Sequence, residues 1–187
     1  MTRLPLLTAA FTLAALAPAA QAQQVLPAQS EISFVSKQMG VPVEGKFKLW
    51  TAQISFDPKK PEAGKIGFTI QTGSASFGSP ETDAEVPKAP WFNAAKFPQA
   101  SFQSSAIKAL GGGKFEVKGS LLIKGASQPV VVPVSVTQAG AASTASGSFV
   151  IKRLDFKIGE GEWADTSMVA NDVQVKFKLA LSGMAPL

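Results

Sequence analysis

An all-β fold is predicted from this sequence: an antiparallel sheet that curls toward a barrel and carries one short helical insertion. Three observations predict it. Apolar and polar residues alternate with period two through most of the chain, the pattern of strands with one face in a core and one in water. The segments between these runs are rich in Gly, Pro, Asp and Ser, the material of turns. Finally, one long strand pattern switches its apolar face halfway along, which a strand accomplishes by bending or bulging.

The elements follow in chain order. Residues 1–22 combine a basic start at Arg3, the apolar run LPLLTAAFTLAALAPAA and small residues at Ala20-Gln21-Ala22. This is the pattern of a secretory signal peptide cleaved before Gln23, so the protein is expected to be exported. A membrane anchor fits less well, because the run is short, Ala-rich and broken by Pro18. Residues 23–187 then have the size of one domain.

In EISFVSK, Ile32 and Phe34 alternate with Ser33 and Val35. VEGKFKLWTAQISFD puts Val43, Gly45, Phe47 and Leu49 on one parity and Trp50, Ala52, Ile54 and Phe56 on the other. One extra residue or a sharp bend there keeps both halves facing the core, and strands that bend so curl a sheet into a barrel. DPKKPEAG follows as a turn, and KIGFTIQT aligns Ile66, Phe68 and Ile70. Residues 79–98 break the pattern. Ser79-Pro80-Glu81 with Asp83 and Glu85 reads as a capped helical start, cut short by Pro87 and Pro90. LGGG at 110–113 is a hairpin. KFEVKGSLLIK, PVVVPVSV and DVQVKFKLAL are further strands whose lysines form a solvated outer face. The Ala/Ser/Thr/Gly run at 139–147 is expected to be a mobile loop.

Composition removes several function classes. The chain has no Cys, no His and, from its sequence, no Tyr. Thiol catalysis, disulfide scaffolds and histidine-based metal or acid–base sites are therefore excluded. The net charge of +5 is mild and lacks a dense Lys/Arg cluster interleaved with aromatics, which argues against nucleic acid as a partner. Weak attraction to an anionic membrane surface is compatible with it.

The chemistry-bearing candidates are few. Glu160, Glu162 and Asp165 crowd the loop GEGEWAD, but without calcium-loop spacing, a nucleophile or a fixed basic partner. They are read as a solvated loop; no metal site and no catalytic set is assigned. Arg153 lies beside Asp155 and is the only Arg after Arg3. Either it forms an exposed ion pair, or its guanidinium contacts a ligand head group at a cavity mouth.

The segments SEISFVSKQMGVPVEGKFKLWTAQISFD, WFNAAKFPQASFQSS, FEVKGSLLIKGASQPVVVPV, FVIKRLDFKIGEGEW and NDVQVKFKLAL occur in this order. The chain thereby resembles the YceI-like, lipocalin-like polyisoprenoid-binding proteins of bacteria over roughly residues 24–183. WF-x4-FP-x3-F-x-S and KG-x3-PV are its more specific motifs. The resemblance implies an extended eight-stranded antiparallel lipocalin-like barrel with a small helical insertion and an isoprenoid chain inside. It also implies export, work near the quinone pool and a membrane b-type cytochrome as neighbour. Many members carry His where this chain has Gln29-Ser30-Glu31, and His-Gly where it has Lys124-Gly125, so roles of those histidines do not transfer.

In such a barrel the inward parities place Phe34, Phe47, Phe68, Phe102, Phe149 and Phe177 around the interior. Trp91, Phe92 and Phe97 would pack the insertion over an apolar tunnel. These nine residues are the expected lining, and the expected cargo is a polyisoprenoid or quinone-type lipid with no other cofactor. Two further readings stay open: an enzyme acting on such lipids through Glu160, Glu162 or Asp165, and a filled barrel with a structural or interaction role. The sequence also leaves open which isoprenoid is held and whether two copies pair as a homodimer.

Overall fold

The structure, a computed structural model, describes residues 23–187; the leader expected over residues 1–22 lies outside the described residues. Eleven strands form one antiparallel sheet. In chain order they are β1 (Gln24–Val25), β2 (Glu31–Gln38), β3 (Val41–Phe47), β4 (Trp50–Ser55), β5 (Lys65–Gln71), β6 (Ala75–Ser76), β7 (Gln99–Gly111), β8 (Lys114–Ile123), β9 (Ala126–Ala139), β10 (Ala142–Lys152) and β11 (Asp172–Ser182). A helix, α1 (Pro80–Glu85), opens the insertion between β6 and β7. Ser79 caps it, its hydroxyl accepting from the Thr82 N–H, as the sequence predicts.

Neighbours along the sheet run β4-β5-β7-β8-β9-β10-β11-β2-β3-β6. β3 and β4 thus stand near opposite ends of this order, although only Lys48 and Leu49 separate them in the chain. β3 pairs with β2, Gly45 opposite Phe34, and β4 pairs with β5, Ile54 opposite Ile66. One bent strand belongs to both edges and curls the sheet into a barrel. Short pieces staple the seam. β6 sets Ala75 and Ser76 opposite Phe47 and Lys46, while β1 pairs with the end of β11 and Gln23 bridges to Ile54. The Gln23 side chain extends that bridge: Oε1 accepts from the Phe56 N–H and Nε2 donates to the Phe56 carbonyl, each at 2.7 Å. Counting β3–β4 as one strand and setting aside the two-residue β1 and β6 recovers the eight strands of the expected barrel.

Phe47 and Ile54 both face the interior, so the parity switch is a real bend. It falls one residue earlier than the pattern suggests. Lys48 and Leu49 form the corner, and Leu49 is exposed, because the chain changes pairing partner there and no ladder holds the side chain inward.

The run at 139–147 corrects the expectation of a loop. Ala139 ends β9, only Gly140 and Ala141 turn, and from Ala142 the chain is β10, paired along its whole length with β11. Ser143 and Ala145 alternate inward as buried residues. Small side chains concealed the alternation, since period two is read from large apolar residues.

Three strand glycines explain the shape of the interior. A Cβ on Gly45 would stand 2.5 Å from Cζ of Phe34, one on Gly119 2.5 Å from Cζ of Phe102, and one on Gly147 2.6 Å from Cζ of Phe177. Each ring therefore lies against the wall, over a glycine of the neighbouring strand, and leaves the centre free. Gly45→Ala should push the Phe34 ring off the wall, at about 1–3 kcal/mol of overpacking strain. Chemical denaturation should show that loss, and Gly45→Ala combined with Phe34→Leu should recover most of it. Equal losses in the single and double variants would show that the ring does not carry the clash.

Candidate functional site

The barrel encloses a cavity of about 520 Å³, within the range of small-molecule sites. Eight of the nine expected lining residues surround it: Phe34, Phe47, Phe68, Trp91, Phe92, Phe102, Phe149 and Phe177. Phe97 does not. The turn closed by its own N–H on the Asn93 carbonyl carries its ring outside the lining, against Gly125, where an added Cβ would stand 3.0 Å from Cε1. The Lys96 ammonium lies 5.5 Å from the centre of that ring. Phe97 thus packs the outside of the β8–β9 turn.

Two ends of the cavity differ. At one, Phe56 and Phe115 meet edge to face at 5.0 Å, with Leu181 and Met184 beside them. The other end is the mouth, for it holds the lining residues that are exposed: Gln38, Met39, Glu81, Glu85 and Met168. They come from the β2–β3 turn, α1 and the loop that precedes β11. α1 is seated there by Asp83, whose carboxylate accepts from the Ser76 hydroxyl and the Phe77 N–H, each at 2.6 Å. The Ser76 hydrogen bond, then that of Phe77, holds the Asp83 carboxyl below its usual range. Phe77 in turn packs edge to face on Phe34, and Phe92 on Phe47. Sequence reasoning missed the mouth. Met39, Met168, Phe77 and Trp163 stand in turns and loops, where no periodicity marks an inward side chain.

Arg153 fits neither reading offered by the sequence. It is 2% exposed, and no ion pair joins it to Asp155 among the described residues. All five of its N–H donors reach backbone carbonyls. Nε donates to Ala170 at 3.1 Å, Nη1 to Ile158 and Gly159 at 2.8 and 3.0 Å, and Nη2 to Trp163 and Val169, both at 2.7 Å. Burial pushes the guanidinium below its ordinary value. Arg153 touches the cavity wall, but no donor is left for a head group; it shapes the loop that forms the mouth.

Lys124 is a second buried cation. Its Nζ donates to the carbonyls of Ala89 at 2.9 Å and Lys157 at 2.7 Å and to Glu160 Oε2 at 2.8 Å. It ties the β8–β9 turn to the insertion and to the loop after β10. That bond is the main reason the Glu160 carboxyl is held below its usual range. Asp165 is likewise lowered, first by the Ser167 hydroxyl, which donates at 2.7 Å. Neither these two carboxylates nor Glu162 lines the cavity. Among the described residues no group of three Asp or Glu side chains is placed to hold a metal ion.

A Lys at position 153 would keep the charge but offer three donors in place of five. Arg153→Lys should therefore orphan at least two carbonyls and cost roughly 2–5 kcal/mol, read as a fall in thermal or denaturant midpoint. An unchanged midpoint would show that the five bonds do not hold the loop.

The YceI-like domain family model matches residues 24–181. Among curated proteins, the UPF0312 protein of Pseudomonas savastanoi pv. phaseolicola is 34% identical over 98 residues, 52% of this chain and 51% of that protein. Protein YceI of Salmonella arizonae is 34% identical over 96 residues, 51% of this chain and 50% of that protein. The matched stretch thus spans about half the length of these curated relatives. The crystal structure of Burkholderia cenocepacia BcnA superposes with a TM-score of 0.82 at 48% identity, over 84% of this chain and 99% of that one. A polyisoprenoid binding domain from Saccharophagus degradans, implicated in plant cell wall breakdown, superposes with a TM-score of 0.70 at 18% identity, over 88% of this chain and 98% of that one, which shows a shared fold. With its bent-strand barrel, its apolar interior and a family match along nearly every described residue, this chain belongs to the YceI-like family.

Proposed function

We propose that this chain is an exported, periplasmic binding protein that holds a polyisoprenoid or quinone-type lipid in its barrel and acts as carrier, sink or store. The observation that carries the reading is the cavity, whose walls are phenylalanine, valine and isoleucine from inward parities of the strands. Such a surface recognises a chain without polar groups by shape and dryness. Each buried methylene contributes about 0.8 kcal/mol, so several isoprene units offset the cost of ordering the ligand. The Saccharophagus degradans neighbour, a polyisoprenoid binding domain, supports the reading through its shared fold.

Binding is favoured over catalysis because the loop carboxylates lie off the cavity and the Arg153 donors are all engaged. Export rests on the leader pattern of residues 1–22. A membrane b-type cytochrome, drawing on the quinone pool, is the partner that the reading names.

Phe102 tests the occupied barrel. It lines the cavity midway along the wall, opposite Phe68 on one side and Leu121 on the other. Phe102→Ala should cost less than the roughly 3–5 kcal/mol typical of a filled core, and added polyprenol should raise the melting temperature of both variant and parent. Ligand at a hundredfold excess over Kd stabilises by about 2.7 kcal/mol. A full core-sized loss with no response to polyprenol in either protein would contradict lipid binding.

A further inference from the structure

The mouth carries two side chains that the core does not require. Met39 and Met168 are 74% and 46% exposed, yet both line the cavity. They are neighbours: the Met39 N–H donates to the Met168 carbonyl at 2.8 Å, and Gln38 bridges to Val169 beside it. Met39 also occupies a backbone position that disfavours it. Its φ is 47°, and that of Gly40 is 80°. Two successive positive φ values make the tight hairpin turn in which Asn or Asp ordinarily precedes Gly. A Met there is strained, and strain at an exposed residue points to a use outside folding. The surroundings supply one, because the side chain borders the opening through which an apolar chain must pass.

We propose that Met39 and Met168 form an oxidation-sensitive lip, at which conversion of the two thioethers to sulfoxides closes the cavity to apolar chains. The inference rests on the lipid-binding reading of that cavity. Hydrogen peroxide is the oxidant. The sulfur lone pair attacks one peroxide oxygen, an S–O bond forms as the O–O bond breaks, and the departing hydroxide takes the proton of the transferred oxygen and leaves as water. Sulfur loses two electrons and the peroxide gains them. A thiol-dependent sulfoxide reductase reverses the change. The oxidised side chain is polar and holds water at its oxygen, and an apolar chain sliding past must strip that water. With no Cys in the chain, no thiol competes for the oxidant. Met184, half-buried at the closed end of the same cavity, is the internal reference.

The test uses the purified exported protein and geranylgeraniol as probe, with uptake followed by quenching of its tryptophan fluorescence. After mild hydrogen peroxide treatment, peptide mass spectrometry should find sulfoxide at Met39 and Met168 before Met184. Probe uptake should slow about tenfold, the factor expected when a polar group must be desolvated along the path, and sulfoxide reductase should restore it. The double variant Met39→Leu/Met168→Leu, a volume-conserving change, should take up probe at the same rate before and after peroxide, whatever its own starting rate. Unchanged uptake by protein oxidised at both residues overturns the lip, and so does an equal loss in the Leu variant. Failure of the untreated protein to take up the probe overturns the lipid-binding reading itself, and the lip with it.

Discussion

Because β3 pairs with β2 while β4, two residues further on, pairs with β5, one stretch of chain serves both edges of the sheet. A sheet whose two end regions share one bent stretch is drawn round toward a barrel. It also acquires an inside. Inward-facing side chains from Ile32 on β2 to Leu181 on β11 line the same space. The short staples matter for the same reason: β6, β1 and the Gln23 amide cover stretches of backbone that the bend leaves without a neighbour.

A closed barrel can still be solid. Here the neighbouring-strand glycines beneath the rings of Phe34, Phe102 and Phe177 let those rings lie along the wall, where residues with a Cβ would push them toward the axis. The mouth is then organised by two buried cations that work through backbone carbonyls. Arg153 gathers five carbonyls of the loops between β10 and β11, and Lys124 joins one of those loops to the insertion. Buried charges without a matching buried partner are costly, and dense hydrogen bonding is what offsets that cost here. The Trp91 and Trp163 rings, 5.4 Å apart, close the same junction.

Much of this was legible in the sequence, and the rest was hidden for identifiable reasons. Strands with large apolar residues announced themselves, as did the bend, since Phe47 and Ile54 could both be inward only if the chain turned over. β10 was hidden because Ser143, Ala145 and Gly147 are small on the very face that packs. Phe97 was misplaced because an aromatic in a loop has no parity to say which way it points. Arg153 could not be placed for a related reason: its partners are carbonyls, which every sequence has and no motif marks. Whether the barrel was hollow depended on which neighbouring-strand residue lies beneath each phenylalanine ring, a question of register between strands that periodicity within one strand does not address.

The central claim is that the cavity holds an apolar chain and leaves it chemically unaltered. Solvent extraction of protein purified from its native compartment, followed by mass spectrometry of the extract, tests this most directly. The account predicts a co-purifying polyisoprenoid or quinone-type lipid, returned intact and in near-stoichiometric amount. Protein that emerges free of lipid and then fails to take up added polyprenol would contradict it, as would an extract of chemically modified products.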